Sequence, residues 1–163
     1  MEGLRSATQD ELETFALWEQ EPDTRRWLGT TGLPWHRQAF ADPDQRHLVT
    51  TAGEVHGFAL LAGLRRPERV IEVRRMVVDP NQRGNGQGRA LLRAVVRRAY
   101  HHLGATGVWL DVKRDNLRAR HLYESEGFDT LDEFSHLAGP QQYAGQELIV
   151  MQHNATATSA GLS

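Results

Sequence analysis

Three glycines alternate in the run Arg83-Gly84-Asn85-Gly86-Gln87-Gly88-Arg89, with an arginine on each side. The stretch before it, 70–78, is nearly all apolar or β-branched. The stretch after it carries apolar residues at helical spacing. A strand that feeds a glycine loop, which in turn opens a helix, makes a cup for an anion. Glycine has no Cβ, so a ligand can approach the backbone and φ can turn positive. The N–H groups of the loop and first helical turn have no intrahelical acceptors. The helix dipole adds partial positive charge there, and a pyrophosphate is the natural occupant. A turn that merely caps a helix would call for neither three glycines nor two flanking arginines. Arg83, Gly84, Asn85, Gly86, Gln87, Gly88 and Arg89 are therefore read as phosphate-binding.

Two other phosphate motifs fail on spacing. A P-loop needs Gly-x4-Gly-Lys-Ser/Thr, and five residues after Gly84 stands Arg89. A dinucleotide motif needs Gly-x-Gly-x-x-Gly, and from Gly84 and Gly86 its third position is again Arg89. Asp111 does stand roughly 20 residues on, where that fold keeps its ribose acid. Too little chain follows Gly88 to complete a doubly wound sheet.

Glu72 is the other residue that demands a chemical reason, because it sits in an otherwise apolar strand. It is either a general base or a solvent-facing partner for Arg74 or Arg75. His136 and His56 are secondary base candidates. His36, His101, His102 and His153 read as surface residues. No His-x-x-x-His occurs and no acids cluster with histidines, so no metal site is expected.

The elements that must position these residues are legible. Thr8 and Glu11 make a capping box ahead of a helix over 8–18, with Leu12, Phe15, Ala16 and Trp18 as its apolar stripe. Residues 19–34 read as loop, and 35–41 as a short helix stopped by Asp42-Pro43-Asp44. Strands are expected over 47–51 and 55–64, joined at Ala52-Gly53-Glu54, and over 70–78, ended by Asp79-Pro80-Asn81. A helix over 86–103 shows Leu91, Leu92, Val95, Val96, Ala99 and Leu103 on one face, with Gly104 closing it. A strand over 108–112 and a helix over 116–126 follow. Two strands, 128–136 and 146–152, flank the loop Ala138-Gly139-Pro140 to Gly145. The unit 70–78, 86–103, 108–112 is a parallel βαβ crossover. The fold class is α/β: a mixed, twisted sheet of roughly six to seven strands with helices on both faces. One domain over 1–153 is expected, with a disordered tail over 154–163.

The absence of cysteine excludes disulfides, thiolate zinc sites and a cysteine nucleophile, and a reducing, cytoplasmic setting suits the chain. No apolar run follows a basic start and none is long enough to span a bilayer, so neither a signal peptide nor a membrane segment is expected. Nineteen basic residues against 21 acidic ones give a net charge of −2, which argues against nucleic acid as a partner.

The run Arg83-x-x-Gly86-x-Gly88 resembles the Arg/Gln-x-x-Gly-x-Gly/Ala cofactor motif of the GCN5-related N-acetyltransferase (GNAT) superfamily. The run Asn116-x-x-Ala119-x-x-x-Tyr123-x-x-x-Gly127-Phe128 resembles that family's second block, in the family's order with a strand between. Residues 70–103 and 108–128 carry the likeness. Residues 43–64 match only in strand pattern, and 1–42 and 129–153 only loosely.

The resemblance implies acetyl-coenzyme A as cofactor and transfer of its acetyl group to a primary amine of a small molecule or peptide. It implies that strands 70–78 and 108–112 part around the pantetheine arm, which would pair with the backbone of Met76, Val77 and Val78. It implies a cofactor contact for Asn116, which reads equally well as a helix N-cap. Tyr123 is implied as the acid that protonates the leaving thiolate, a phenol of pKa ~10 serving a thiol of ~8.5. An aromatic packed under the sheet is its structural alternative. Glu72 takes the place of the base. The acceptor pocket would be built from the first helices, their connection and the late hairpin. Glu19, Glu21 and Asp23 there read as a solvated loop cluster that could also attract a cation. Trp18, Trp27 and Trp35 read as packing residues, one of them free to reach substrate. Any assembly expected is a homodimer. A non-catalytic acyl-coenzyme A sensor and an NAD-binding domain using Asp111 are the competing readings.

Overall fold

A computed structural model describes residues 3–50, 55–131 and 148–154. Their strands form one seven-stranded sheet in the order β1-β2-β3-β4-β5-β7-β6. The strands are β1 (Leu4–Ser6), β2 (Gln45–Thr50), β3 (Gly57–Ala62), β4 (Val70–Val78), β5 (Gly107–Lys113), β6 (Asp129–Thr130) and β7 (Leu148–Asn154). Neighbours run antiparallel except β4 and β5, which are parallel across the helix α4 (Gln87–His102). A single parallel pair rules out the doubly wound sheet that the NAD reading requires.

The helices cover both faces, as the alternation in the strands requires. Leu91, Leu92, Val95 and Ala99 of α4 pack on Ile71, Val73, Val108 and Leu110. α5 (Leu117–Ser125) lies on the same face through Ala119, Leu122 and Tyr123. On the other face α1 (Leu12–Trp18) lays Leu12, Phe15 and Trp18 against Val49, Phe58 and Val77. The rings of Phe15 and Phe58 stack at 4.4 Å. The Thr8 amide donates to the Glu11 carboxylate at 2.8 Å, the predicted cap, although the first turn is a 3-10 turn, Gln9–Glu11.

Several expectations change. Strand β1 went unread, because three residues with one buried side chain show no period. The 19–34 segment contains a helical turn, α2 (Pro22–Arg25), whose N-cap Glu21 accepts from the amides of Asp23 and Thr24. The helix expected over 35–41 starts earlier, as α3 (Leu33–Ala41). Asn154, assigned to the tail, is the last residue of β7. Residues 155–163, the hairpin connection 52–54, the 138–145 loop and His136 lie outside the described residues, as does the strand expected over 128–136 beyond Leu131.

The middle of β4 controls the site. Leu60 faces Arg75 but Leu61 faces Val73, so Arg74 is an extra residue on β4. Such a bulge bends the strand and inverts its alternation. Ile71 and Val73 face α4, whereas Val77 faces α1. Pairing with β5 covers only Val70↔Gly107, Ile71↔Val108 and Glu72↔Trp109. Beyond that point the two strands part.

The inversion also places Arg75 beneath α1 and α3. Its guanidinium donates to Glu19 at 2.9 Å and to the Thr30 carbonyl at 2.8 Å, and it lies 3.9 Å from the centre of the Trp35 ring. Glu19 bonds His36 Nε2 at 2.7 Å, and His36 Nδ1 bonds His47 Nε2 at 3.0 Å. Glu19 and His36 are both fully buried, contrary to the solvated loop and surface positions expected of them. Neither lies in an apolar run that would have revealed this. The remaining ring nitrogen of this chain, His47 Nδ1, is buried with no partner among the described residues.

Burial lowers the pKa of His47 to about 4, with the neighbouring His36 and Arg75 adding to the effect. Below pH 6.5 the unfolded chain therefore takes up a proton that the folded chain refuses until about pH 4. The contribution of His47 to stability should fall by an amount on the order of 3 kcal/mol as pH drops through that window. Urea unfolding of the native chain and of His47→Gln, repeated from pH 7 to pH 4, should show the native chain losing stability relative to the variant by about that amount.

Candidate active site

The parted strands expose backbone. The Asp79 amide donates to the carbonyl of His56, the residue before β3, at 2.7 Å. Amide direction alternates along a strand, so the N–H and C=O of Val77 also face β3, whereas those of Met76 and Val78 face the gap beside β5. Of the three residues expected to line a cofactor arm, Met76 and Val78 present their backbone to the gap. Val77 pairs with Phe58 and buries its side chain under α1. Gly57 lets β3 follow this turn: a methyl group there would stand 2.8 Å from the Val77 carbonyl oxygen.

The glycine loop lies at the end of the same strand. Asp79 caps the turn Pro80–Gln82 by accepting from the Asn81 amide at 2.9 Å. Gly84 and Gly86 have φ of +89° and +74°, and a Cβ on either would meet open space. Among the described residues no hydrogen bond runs from the amides of residues 84–89 to a protein acceptor. A Cβ on Gly88 would lie 3.9 Å from Val78 and 4.0 Å from Leu122, so the start of α4 is seated between the end of β4 and α5. These free amides, on a helix of 16 residues, fit a pyrophosphate, and the parted strands fit an extended arm.

The two flanking arginines are engaged with carboxylates. Arg83 donates to Glu21 at 2.8 Å and to Thr24 on α2. Arg89 reaches Glu126 and Ser125 at the end of α5, where Arg93 also bonds Glu126, at 2.6 Å. They tie the loop to α2 and to the end of α5. Asn116 caps α5: its side-chain oxygen accepts from the Ala119 amide at 3.2 Å.

Glu72 lies on the α1 face, half-buried, with Arg74 at 3.3 Å. The contact with Arg74 is the ion pair expected of it, although the carboxyl is not solvent-facing. Burial raises its pKa to about 7; Arg74 opposes this and the charge of Asp111 adds to it. Burial around the Tyr123 hydroxyl raises that group to about 12, and Asp111 again contributes. Asp111 stands on β5 just past the parting point. It biases both candidate groups toward the protonated state, a role that sequence reasoning missed while weighing it as a ribose acid. The remaining motif residues are structural. Phe128 is buried in the core, and a Cβ on Gly127 would press on His153 at 3.0 Å. His153 is itself buried and bonds Tyr100 at 2.8 Å, where a surface position was expected. His101 and His102 are exposed, and His56 serves through its backbone. Among the described residues no group of histidines and acids could hold a metal.

Residues 4–128 match the model of the acetyltransferase (GNAT) family. The chain belongs to that family. An uncharacterised N-acetyltransferase of Mycobacterium bovis is 34% identical over 88 residues, 52% of this chain and 54% of its own. The ribosomal protein bS18-alanine N-acetyltransferase of Escherichia coli K12 is 31% identical over 101 residues, 60% of this chain and 66% of its own. In the first of these matches the chain spans about half the length of the curated relative. Among solved structures, aminoglycoside acetyltransferase AAC(6')-Ib, in complex with coenzyme A and kanamycin, superposes with a TM-score of 0.79 over the full length of both chains at 19% identity. Spermidine N-acetyltransferase from Vibrio cholerae, in complex with coenzyme A and spermine, gives 0.75 over 96% of each chain at 18% identity. At such identity these two show that the GNAT fold is shared.

Gly86 gives the sharpest test of the cup. Its φ is left-handed and its surroundings are open, so Gly86→Val costs about 1–2 kcal/mol of strain without displacing a neighbour. Titration calorimetry should show coenzyme A binding lost while thermal unfolding stays cooperative; unchanged affinity would remove the loop from cofactor binding.

Proposed function

We propose that this GNAT chain transfers the acetyl group of acetyl-CoA to a primary amine of a small molecule or peptide. The observation that carries the reading is the continuity of three features: free amides at the start of α4, the gap-facing backbone of Met76 and Val78, and a carboxyl and a phenol both raised by burial beside that gap. The amides of residues 84–89 hold the pyrophosphate. Arg83 and Arg89 stand close enough to add positive charge if their carboxylate partners yield. The groups of Met76 and Val78 pair with the pantetheine arm, and Asn116 keeps the start of α5 in place beside it.

Acetyl-CoA supplies a carbonyl carbon already activated as a thioester. The chain's own groups manage the protons. Glu72, ionised above about pH 7, accepts the proton that the amine must lose as its nitrogen forms the new C–N bond. A backbone N–H facing the gap stabilises the negative charge that develops on the carbonyl oxygen. Tyr123, protonated at every physiological pH, donates at its hydroxyl to the sulfur as the C–S bond breaks. The desolvation that makes this phenol a weaker acid also makes the departing thiolate a stronger base, so the proton still has a taker.

The relatives support an amine acceptor: one is named for the alanine of a ribosomal protein, and the solved neighbours for spermidine and aminoglycosides. Among the described residues no helix is long and apolar enough to cross a membrane. A cytoplasmic setting suits a chain without cysteine.

Release of free thiol from acetyl-CoA over a panel of polyamines, aminoglycosides and peptides with N-terminal alanine tests the activity. Binding of coenzyme A with silence across the panel would favour a sensor instead. With an active amine, kcat/KM should rise with pH through about 7 and level above it. Glu72→Gln should abolish that limb and lower the rate ~10²-fold. Tyr123→Phe should lower kcat ~10²-fold with coenzyme A affinity unchanged; a normal kcat would remove Tyr123 from the chemistry.

A further inference from the structure

The buried chain beneath α1 and α3 is not accounted for by stability. Arg75, Glu19, His36 and His47 come from four separate segments and are 8%, 0%, 0% and 2% exposed. Apolar residues of similar size at such places are generally as stabilising as a buried ion pair, or more so. What distinguishes Arg75 is where its bonds lead. Thr30, whose carbonyl it holds, lies in the connection from α2 to α3, and Glu19 begins the connection out of α1. Two more cations from the gap reach the same stretch of chain. Lys113, the last residue of β5, donates to the Arg26 carbonyl at 3.1 Å, and Arg83 of the glycine loop holds Glu21 and Thr24. The 19–32 stretch is thus tied to β4, to β5 and to the phosphate loop, which are the three borders of the gap. Of these three cations only Arg75 is buried, and it is separated by one peptide bond from Met76, whose backbone faces the gap.

We propose that Arg75 is a positioning residue for the acceptor amine: through Glu19 and the Thr30 carbonyl it fixes the 19–32 stretch at a set distance from the gap-facing backbone of Met76. The proposal rests on the reading of the gap as the site of acetyl transfer. An arginine is suited to this because a planar fork can serve two acceptors in different directions while its face lies on an aromatic ring; an ammonium group cannot. Because the amine approaches an arm already seated between the strands, a wall displaced by about an ångström weakens acceptor binding and alignment far more than it weakens cofactor binding.

Two variants test this in the full chain, Arg75→Lys and the double variant Glu19→Gln/Arg75→Met. The double variant removes both charges and leaves a side-chain oxygen to accept from His36, so its thermal unfolding should stay near that of the parent even where Arg75→Lys fails to fold. With the amine of highest turnover from the panel, the KM for the amine should rise roughly tenfold or more in each folded variant. The Kd for coenzyme A should stay within about twofold, and amide hydrogen exchange over 26–32 should quicken. An unchanged amine KM in a folded variant overturns the proposal. If the parent acetylates no amine, the reading of the reaction fails separately. Exchange over 26–32 then decides by itself, and protection equal to the parent's overturns the role of Arg75.

Discussion

Two parallel strands that pair for three residues and then separate are the constraint from which the site follows. Unpaired backbone inside a sheet is costly, because each buried N–H and C=O needs a partner. The extra residue at Arg74 turns β4 away from β5 after Glu72 and leaves the groups of Met76 and Val78 facing a gap. The same insertion inverts the strand, so Val77 packs under α1 and Arg75 goes beneath α3. One added residue thereby sets the opening, the anchor of the helices above it and the direction in which β4 delivers the glycine loop.

The cations of the site connect segments. Arg83 joins the loop to α2, Arg89 and Arg93 join α4 to the end of α5 through Glu126, and Lys113 joins β5 to the 19–32 stretch. Exposed pairs of this kind each contribute little to stability, about 0–1 kcal/mol. Their value is directional: they keep the elements that border the gap in register while the backbone amides remain available. An amide cup needs no long side chain to be ordered when an anion arrives, whereas a guanidinium must first leave its carboxylate.

Most of the fold was legible, and the reason is periodicity. The 70–78 strand was read to the residue from its nearly unbroken apolar run, the 86–103 helix to within a residue at each end from apolar positions recurring at 3.6, and the 116–126 helix equally closely. The glycine loop and the Asn116 to Phe128 block were legible as residue types at fixed spacing. What escaped was whatever depends on contacts between distant segments. Nothing local in Glu19 or His36 shows that an arginine 56 positions beyond Glu19 will bury it. Glu72 stood out because a carboxyl interrupts an apolar strand. Asp111 stood out only as part of a motif that fails, since its effect on Glu72 and Tyr123 exists only once β5 lies beside β4. The parting of the strands was expected from family likeness alone, because the one-residue register shift behind it leaves no mark in a run that is apolar on both faces.

The raised carboxyl and the raised phenol have one physical origin and opposite uses. Burial disfavours the charged form of each, so a carboxyl that would ionise near pH 4.5 waits until about 7, and a phenol already neutral at pH 7 becomes more firmly so. In the proposed transfer, this brings the proton affinity of Glu72 close to working pH, where a base is most effective, and keeps a proton on Tyr123 for the departing sulfur. Asp111 strengthens both shifts with one charge. Arg74, the bulge residue, holds Glu72 back from being wholly neutral. The residue that parts the strands therefore also tunes the carboxyl beside them, so geometry and proton affinity at this site cannot be varied independently.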